Sequence, residues 1–167
     1  IDTGNASWVT NGVGLKHSID YGFGLINPIE MIVECTDIAT YTNLPAETNT
    51  SVTIAPNALI PDDFSLQTFN INVPANFTIE WVEVTVDNDG WGSDYRVELT
   101  SPSGTKTELM TEKTEPSNSS WMDGGFRLST AAMTGENSAG TWVLGMSDQW
   151  AVFDGTLKSA TIKIYGH

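Results

Sequence analysis

The sequence predicts an all-β fold, an antiparallel β-sandwich or jelly roll preceded by one short N-terminal helix. Three observations carry this. Apolar and polar residues alternate in several short runs, which is the period of a half-buried strand. Turn residues punctuate the gaps between those runs. After the first 38 positions no second strong helical period and no internal repeat emerge.

Taken in order, residues 1 to about 38 read differently from the rest. Glycines punctuate Asn11-Gly12-Val13-Gly14 and Tyr21-Gly22-Phe23-Gly24, which predicts tight turns. Asn27-Pro28 then opens a helix, because Asn caps well and Pro at the first helical position loses no needed hydrogen bond. Glu30 in the first turn favours the helix dipole. Ile29, Ile32 and Val33 share one face, continued by Thr36, and that apolar stripe requires a partner. Residues 39–49, rich in Thr, Asn and Ala and containing Pro45, read as a linker.

Residues 50–167 supply the strands. Phe69, Ile71 and Val73 alternate inward up to Pro74, and Val82, Val84 and Val86 alternate with Trp81, Glu83 and Thr85. Val97 and Leu99, then Trp142, Leu144 and Met146, then Ala160, Ile162 and Ile164 repeat the pattern. Between them lie Asn88-Asp89-Gly90, Pro102-Ser103-Gly104, Asp123-Gly124-Gly125, Ser138-Ala139-Gly140 and Asp154-Gly155.

Composition narrows the function classes. At 40% hydrophobic and 17% charged residues the chain reads as globular. No apolar run approaches the roughly 20 residues that span a bilayer, and no signal peptide opens the sequence. Ile1 is not an initiator methionine, so the chain is expected to be a mature product or an excised piece. With 21 acidic against 7 basic residues, a formal net charge of −14, its surface would repel nucleic acid and anionic membranes. That acidity serves solubility, and some carboxylates could also collect a hard cation such as calcium. Cys35 is the single cysteine, so no internal disulfide forms, and it is expected to be a buried packing residue.

Two groups of residues are candidates for binding. Asp87, Asp89 and Asp94, with Asn88, surround the Gly90 turn, and calcium takes six to eight oxygens from a flexible loop of this kind. The alternative is a polar hairpin capping its own backbone, and the full calcium-loop spacing with its closing Glu is missing. Asp148 and Asp154, beside Trp150 and Phe153, form a second candidate, with Asp123 a distal ligand to either. Six tryptophans are many for this length. Trp81, Trp91, Trp121 and Trp150 lie off the inward face or in loops, where they could stack on sugar rings as a carbohydrate-binding module or bury against a partner domain. Asn5, Asn49, Asn76 and Asn118 open glycosylation sequons that read as chance matches in this acidic chain.

Two stretches together resemble the kexin/furin type of subtilisin. Trp8-Val9-Thr10-Asn11-Gly12-Val13-Gly14, His17-Ser18 and Tyr21-Gly22-Phe23-Gly24 are similar to the closing segment of that family's catalytic domain, although Asn27-Pro28 stands where the family usually has Asp-Ala. Asp94 to Thr105 with Leu109, then Ala139 to Leu144, Asp148, Gly155-Thr156-Leu157 and Ile164-Tyr165-Gly166, resemble its P domain. There Ser93 replaces the usual Gly, and Gly92 lies one residue earlier. The resemblance implies a catalytic-domain tail at 1–38, a linker at 39–49 and a P-domain sandwich at 50–167. It implies an accessory role: packing against a protease domain of the same precursor, supporting its folding and tuning calcium and pH dependence. A secreted, monomeric chain is expected. The family's Gly-Thr-Ser-x-x-x-Pro nucleophile motif is missing, His17 falls in its non-catalytic tail and His167 is terminal, so no catalytic residue is expected in this chain.

Overall fold

A computed structural model describes residues 7–35, 45–113, 119–151 and 153–167. The Cys35 side chain, Thr36, Asn5 and Asn118, on which expectations were placed, lie outside the described residues. A small hairpin, β1 (Trp8–Thr10) and β2 (Lys16–Ser18), precedes helix α1 (Pro28–Cys35). The body follows as β3 (Thr48–Ile54), β4 (Ala58–Ile60), β5 (Gln67–Val73), β6 (Ile79–Asn88), β7 (Tyr95–Thr100), β8 (Lys106–Met110), β9 (Phe126–Thr130), β10 (Gly140–Asp148) and β11 (Gly155–Gly166). β3 thus begins inside the last residues of the expected linker.

Two antiparallel sheets form, ordered β5-β10-β7-β8 and β3-β11-β6-β9, with β4 added to β11. Numbering the eight long strands along the chain, the sheets read 2-7-4-5 and 1-8-3-6, the order of a jelly roll. The alternation explains the layering. Val82, Val84 and Val86 of β6 and Ala160, Ile162 and Ile164 of β11 are fully buried, facing Ile71, Val97, Leu99, Trp142, Leu144 and Met146 of the other sheet. Each fully buried Val, Leu or Ile contributes roughly 1.5–3 kcal/mol relative to exposure, so this interior dominates the fold. The Trp142 indole satisfies its one donor on the Ser138 carbonyl at 3.0 Å, which allows so large a polar-tipped ring to be buried.

Antiparallel pairing sorts the loops to two ends. Connections 61–66 and 89–94 and the described residues 111–113, 119–125, 149–151 and 153–154 gather at one end, called distal here. The β7–β8 turn and the β9–β10 loop lie at the opposite, proximal end, where the β1–β2 hairpin attaches through Asn11 and Gly12. α1 is capped as the sequence predicts: Asn27 Oδ1 accepts the amides of Ile29 and Glu30 at 3.2 and 3.3 Å. Among the described residues, no helix is long and apolar enough to cross a membrane.

Candidate functional site

Among the described residues, the N-terminal head holds most of the exposed large hydrophobic side chains. Its glycine-punctuated turns leave little regular structure in which to bury side chains. Leu25 and Ile26 are 82% and 77% exposed, and Ile29 and Ile32 of α1 are 71% and 67% exposed. Val13, Ile19, Tyr21, Phe23 and Val33 extend the exposed surface. Apolar exposure of this extent is typical of a surface that meets a partner. Within the α1 stripe, Ile29 and Ile32 thus keep most of their surface exposed. Within the head, Trp8 stacks on Tyr21 at 6.1 Å, and the His17 ring meets Phe23 edge-on at 5.1 Å. Partial burial lowers the His17 pKa, which keeps the ring neutral and suited to packing. A cavity of about 290 Å³ separates the hairpin from the body, bounded by Val9, His17 and Ile19 on one side and Arg96, Glu98 and Lys106 on the other.

The six carboxylates expected to bind metal all lie on the distal half, and each places one oxygen on a local partner. Asp87 accepts the Gly124 amide at 3.0 Å, Asp89 accepts that of Thr156 at 2.7 Å, and Asp154 accepts that of Asp62 at 2.9 Å. Lys158 reaches Asp123 at 2.6 Å and Asp89 at 3.8 Å. Among the described residues, no group of three or more His, Cys, Asp or Glu side chains is arranged to hold a metal ion. The polar-hairpin alternative accounts for these contacts: the acids cap the loops that join the strands.

Asp94 and Asp148 differ from the other four because both are buried. Asp94 accepts the Ser93 hydroxyl at 2.7 Å and Asp148 accepts the Trp150 amide at 3.1 Å, while Asp148 Oδ2 has no hydrogen-bond partner. Burial pushes the Asp148 pKa up to about 6; the Trp150 amide opposes this, and the nearby charges of Asp94 and Asp62 reinforce it. Tyr95, opposite Asp148 in the β7–β10 register, is fully buried, and its phenol is shifted upward by burial and then by Asp148, Asp94 and Asp89. Its hydroxyl lies near enough to influence Asp148 without reaching hydrogen-bond geometry. Gly90 and Gly155 lie against that hydroxyl, and a Cβ at either position would run into it.

Of the β-body's half-buried tryptophans outside the core, three are occupied with other rings. Trp81 stacks on Tyr165 at 4.2 Å, Trp91 on Phe153 at 5.1 Å, and Trp121 meets Phe126 edge-on at 4.5 Å. Gly92 is required here, because a Cβ would enter the Trp121 ring.

Comparison with known proteins agrees with this architecture. The chain is 30% identical over 176 residues to the proprotein convertase subtilisin/kexin type 5 of Homo sapiens, covering 95% of this chain and 9% of that protein. It is 29% identical over 175 residues to the neuroendocrine convertase 2 of Caenorhabditis elegans, covering 98% of this chain and 26% of that protein. The chain thus spans a minor part of these relatives. Its fold matches the crystal structure of the serine protease of Aeromonas sobria with a TM-score of 0.77 at 21% identity, over 96% of this chain and 33% of that one. The family model for the proprotein convertase P-domain matches residues 79–164, from the first residue of β6 into β11. That match spans the valine face, the Asp94 turn, and the buried Trp142 and Asp148, so the chain belongs to the proprotein convertase P-domain family.

Proposed function

We propose that this chain is a non-catalytic accessory module of a secreted subtilisin-like serine endopeptidase. In this reading the head, residues 1–38, is the tail of the catalytic domain, 39–49 is a linker, and 50–167 is the P domain. The observation that carries it is the apolar exposure of the head, at Val13, Leu25, Ile26, Ile29 and Ile32, beside a β-body that has a buried core of its own. Burying that face against the upstream domain would stabilise both units by linkage. The experiment is to produce the parent protease with and without residues 48–167. Loss of soluble, active protease on truncation is expected; equal yield and melting temperature would reject the reading.

The acidic distal end supports a role for calcium as a loosely held stabiliser that relieves charge repulsion, with no chelating group of three carboxylates among the described residues. A higher melting temperature with calcium than with chelator is expected, and an identical one rejects this part. The carbohydrate-binding alternative is disfavoured by the ring pairs that occupy Trp81, Trp91 and Trp121. Titration with polysaccharides leaves tryptophan fluorescence unchanged on the accessory reading.

A further inference from the structure

The proximal end of the β-body holds the head through the Asn11-Gly12 turn, where the Asn11 side-chain amide and the Gly12 N–H are both engaged. Asn11 is buried. Its Nδ2 donates to the carbonyls of Ala132 and Thr134 at 3.2 and 2.9 Å. Its Oδ1 meanwhile accepts the amides of Val13 and Leu15 at 3.2 and 2.9 Å, shaping the turn itself. The Gly12 amide donates to Glu136 Oε1 at 2.7 Å and reaches Thr105 Oγ1 at 3.1 Å.

Glu136 is 1% exposed, and its carboxylate is fixed in advance by the body. Ser101 donates to its Oε2 at 2.6 Å and the Thr105 hydroxyl donates to its Oε1. Its main chain is tied to Met133 and Ile79 by hydrogen bonds of 3.1 and 2.8 Å. A buried carboxylate is costly unless its oxygens are satisfied, and here the body's two hydroxyls leave one direction for an amide from outside. Sterics narrow the fit further: a Cβ on Gly12 would lie 2.6 Å from Ser103 Cβ. Opposite Val13, a Cβ on Gly135 would lie 3.0 Å from Val13 Cγ2, and its φ of 84° already favours glycine.

We propose that the β7–β8 turn and the β9–β10 loop form a preorganised socket that recognises an Asn-Gly turn. In it the Ala132 and Thr134 carbonyls read the Asn amide, Ser103 excludes any side chain at the Gly, and Glu136 captures the Gly amide. The socket's natural occupant is residues 11–12 of this chain. The assignment of that occupant as a protease tail rests on the accessory reading above, but the socket itself does not. It sets the position of the head, and hence of the exposed apolar face, relative to the sandwich.

The test is amide hydrogen exchange on the full chain with two variants confined to the head, Asn11→Asp and Gly12→Ala. Asp keeps the acceptor that shapes the turn but cannot donate to two carbonyls. The amide at position 12 is expected to exchange about 10- to 100-fold faster in both variants. In Asn11→Asp the Leu15 amide stays protected, and core amides of β6 and β10 change less than about twofold. Glu136→Gln, which keeps one acceptor oxygen, is expected to show a smaller acceleration at position 12. Unchanged exchange at position 12 in both head variants would overturn the proposal. So would acceleration of head and core together, which would show that the turn is part of the global fold. Failure of the accessory reading would leave these exchange rates untouched, so the two can be told apart.

Discussion

Asp148 sits at an inward position of β10, in phase with Trp142, Leu144 and Met146, so its burial follows from the alternation that places those three in the core. Its ordinary carboxyl pKa is 3.8, and in the folded chain it rises to about 6. The folded state therefore holds this proton more tightly than the unfolded one. The stability contributed is fully present below pH ~4 and is lost as pH rises through about 6. Asp148→Asn keeps the acceptor for the Trp150 amide and removes the buried charge. At pH 7 it is expected to be more stable than the native chain by about 1–2 kcal/mol, an advantage that disappears near pH 4. Chemical denaturation at both pH values measures this. Tyr95 and its two glycines give a second expectation. Tyr95→Phe removes a buried hydroxyl that has no partner and is expected to change stability by less than ~1 kcal/mol. Gly155→Ala puts a methyl group against that hydroxyl, Asn88 and the Gly90 main chain, and should cost about 2–3 kcal/mol. Asn88 could be read from phase with Val86; the closeness of Gly90, Gly155 and Tyr95 could not, because it arises only when loops distant in sequence meet.

Among the elements, the strands were the most legible, since an alternating strand with one buried face has a single workable phase. β6, β7, β10 and β11 follow the inward residues read from the sequence, and Tyr95 extends the β7 row by one inward position. The cap of α1 was equally legible because Asn27 acts on amides two and three residues away. The Glu136 socket was not: one acid in a polar turn gives no sign that Ser101, Thr105 and Gly12 will converge on it. For the distal acids, proximity in sequence is visible and the direction of each carboxylate is not. At this scale α1 carries its own expectation. Ile32→Asp in the isolated chain should change stability by no more than about 0.5 kcal/mol, because the side chain is already exposed. In the proposed parent protease the same substitution would bury a charge at the covered face and should lower the melting temperature by several degrees, about 2 kcal/mol or more. Thermal unfolding of both proteins makes the comparison.

For the whole molecule, the division of labour is between a body that completes its own core and a head that does not. The jelly-roll order places the first and last long strands side by side, so the sandwich closes without the head. The head then reaches the body through the Asn11-Gly12 turn while turning its apolar residues outward. On the accessory reading, an upstream protease domain covers this apolar surface. Hydrogen exchange of the segment 24–35, measured in the parent protease and in this chain under the same conditions, tests it directly. Strong protection of the segment in the parent and rapid exchange in the isolated chain is the expected result. Equal exchange in the two would contradict it.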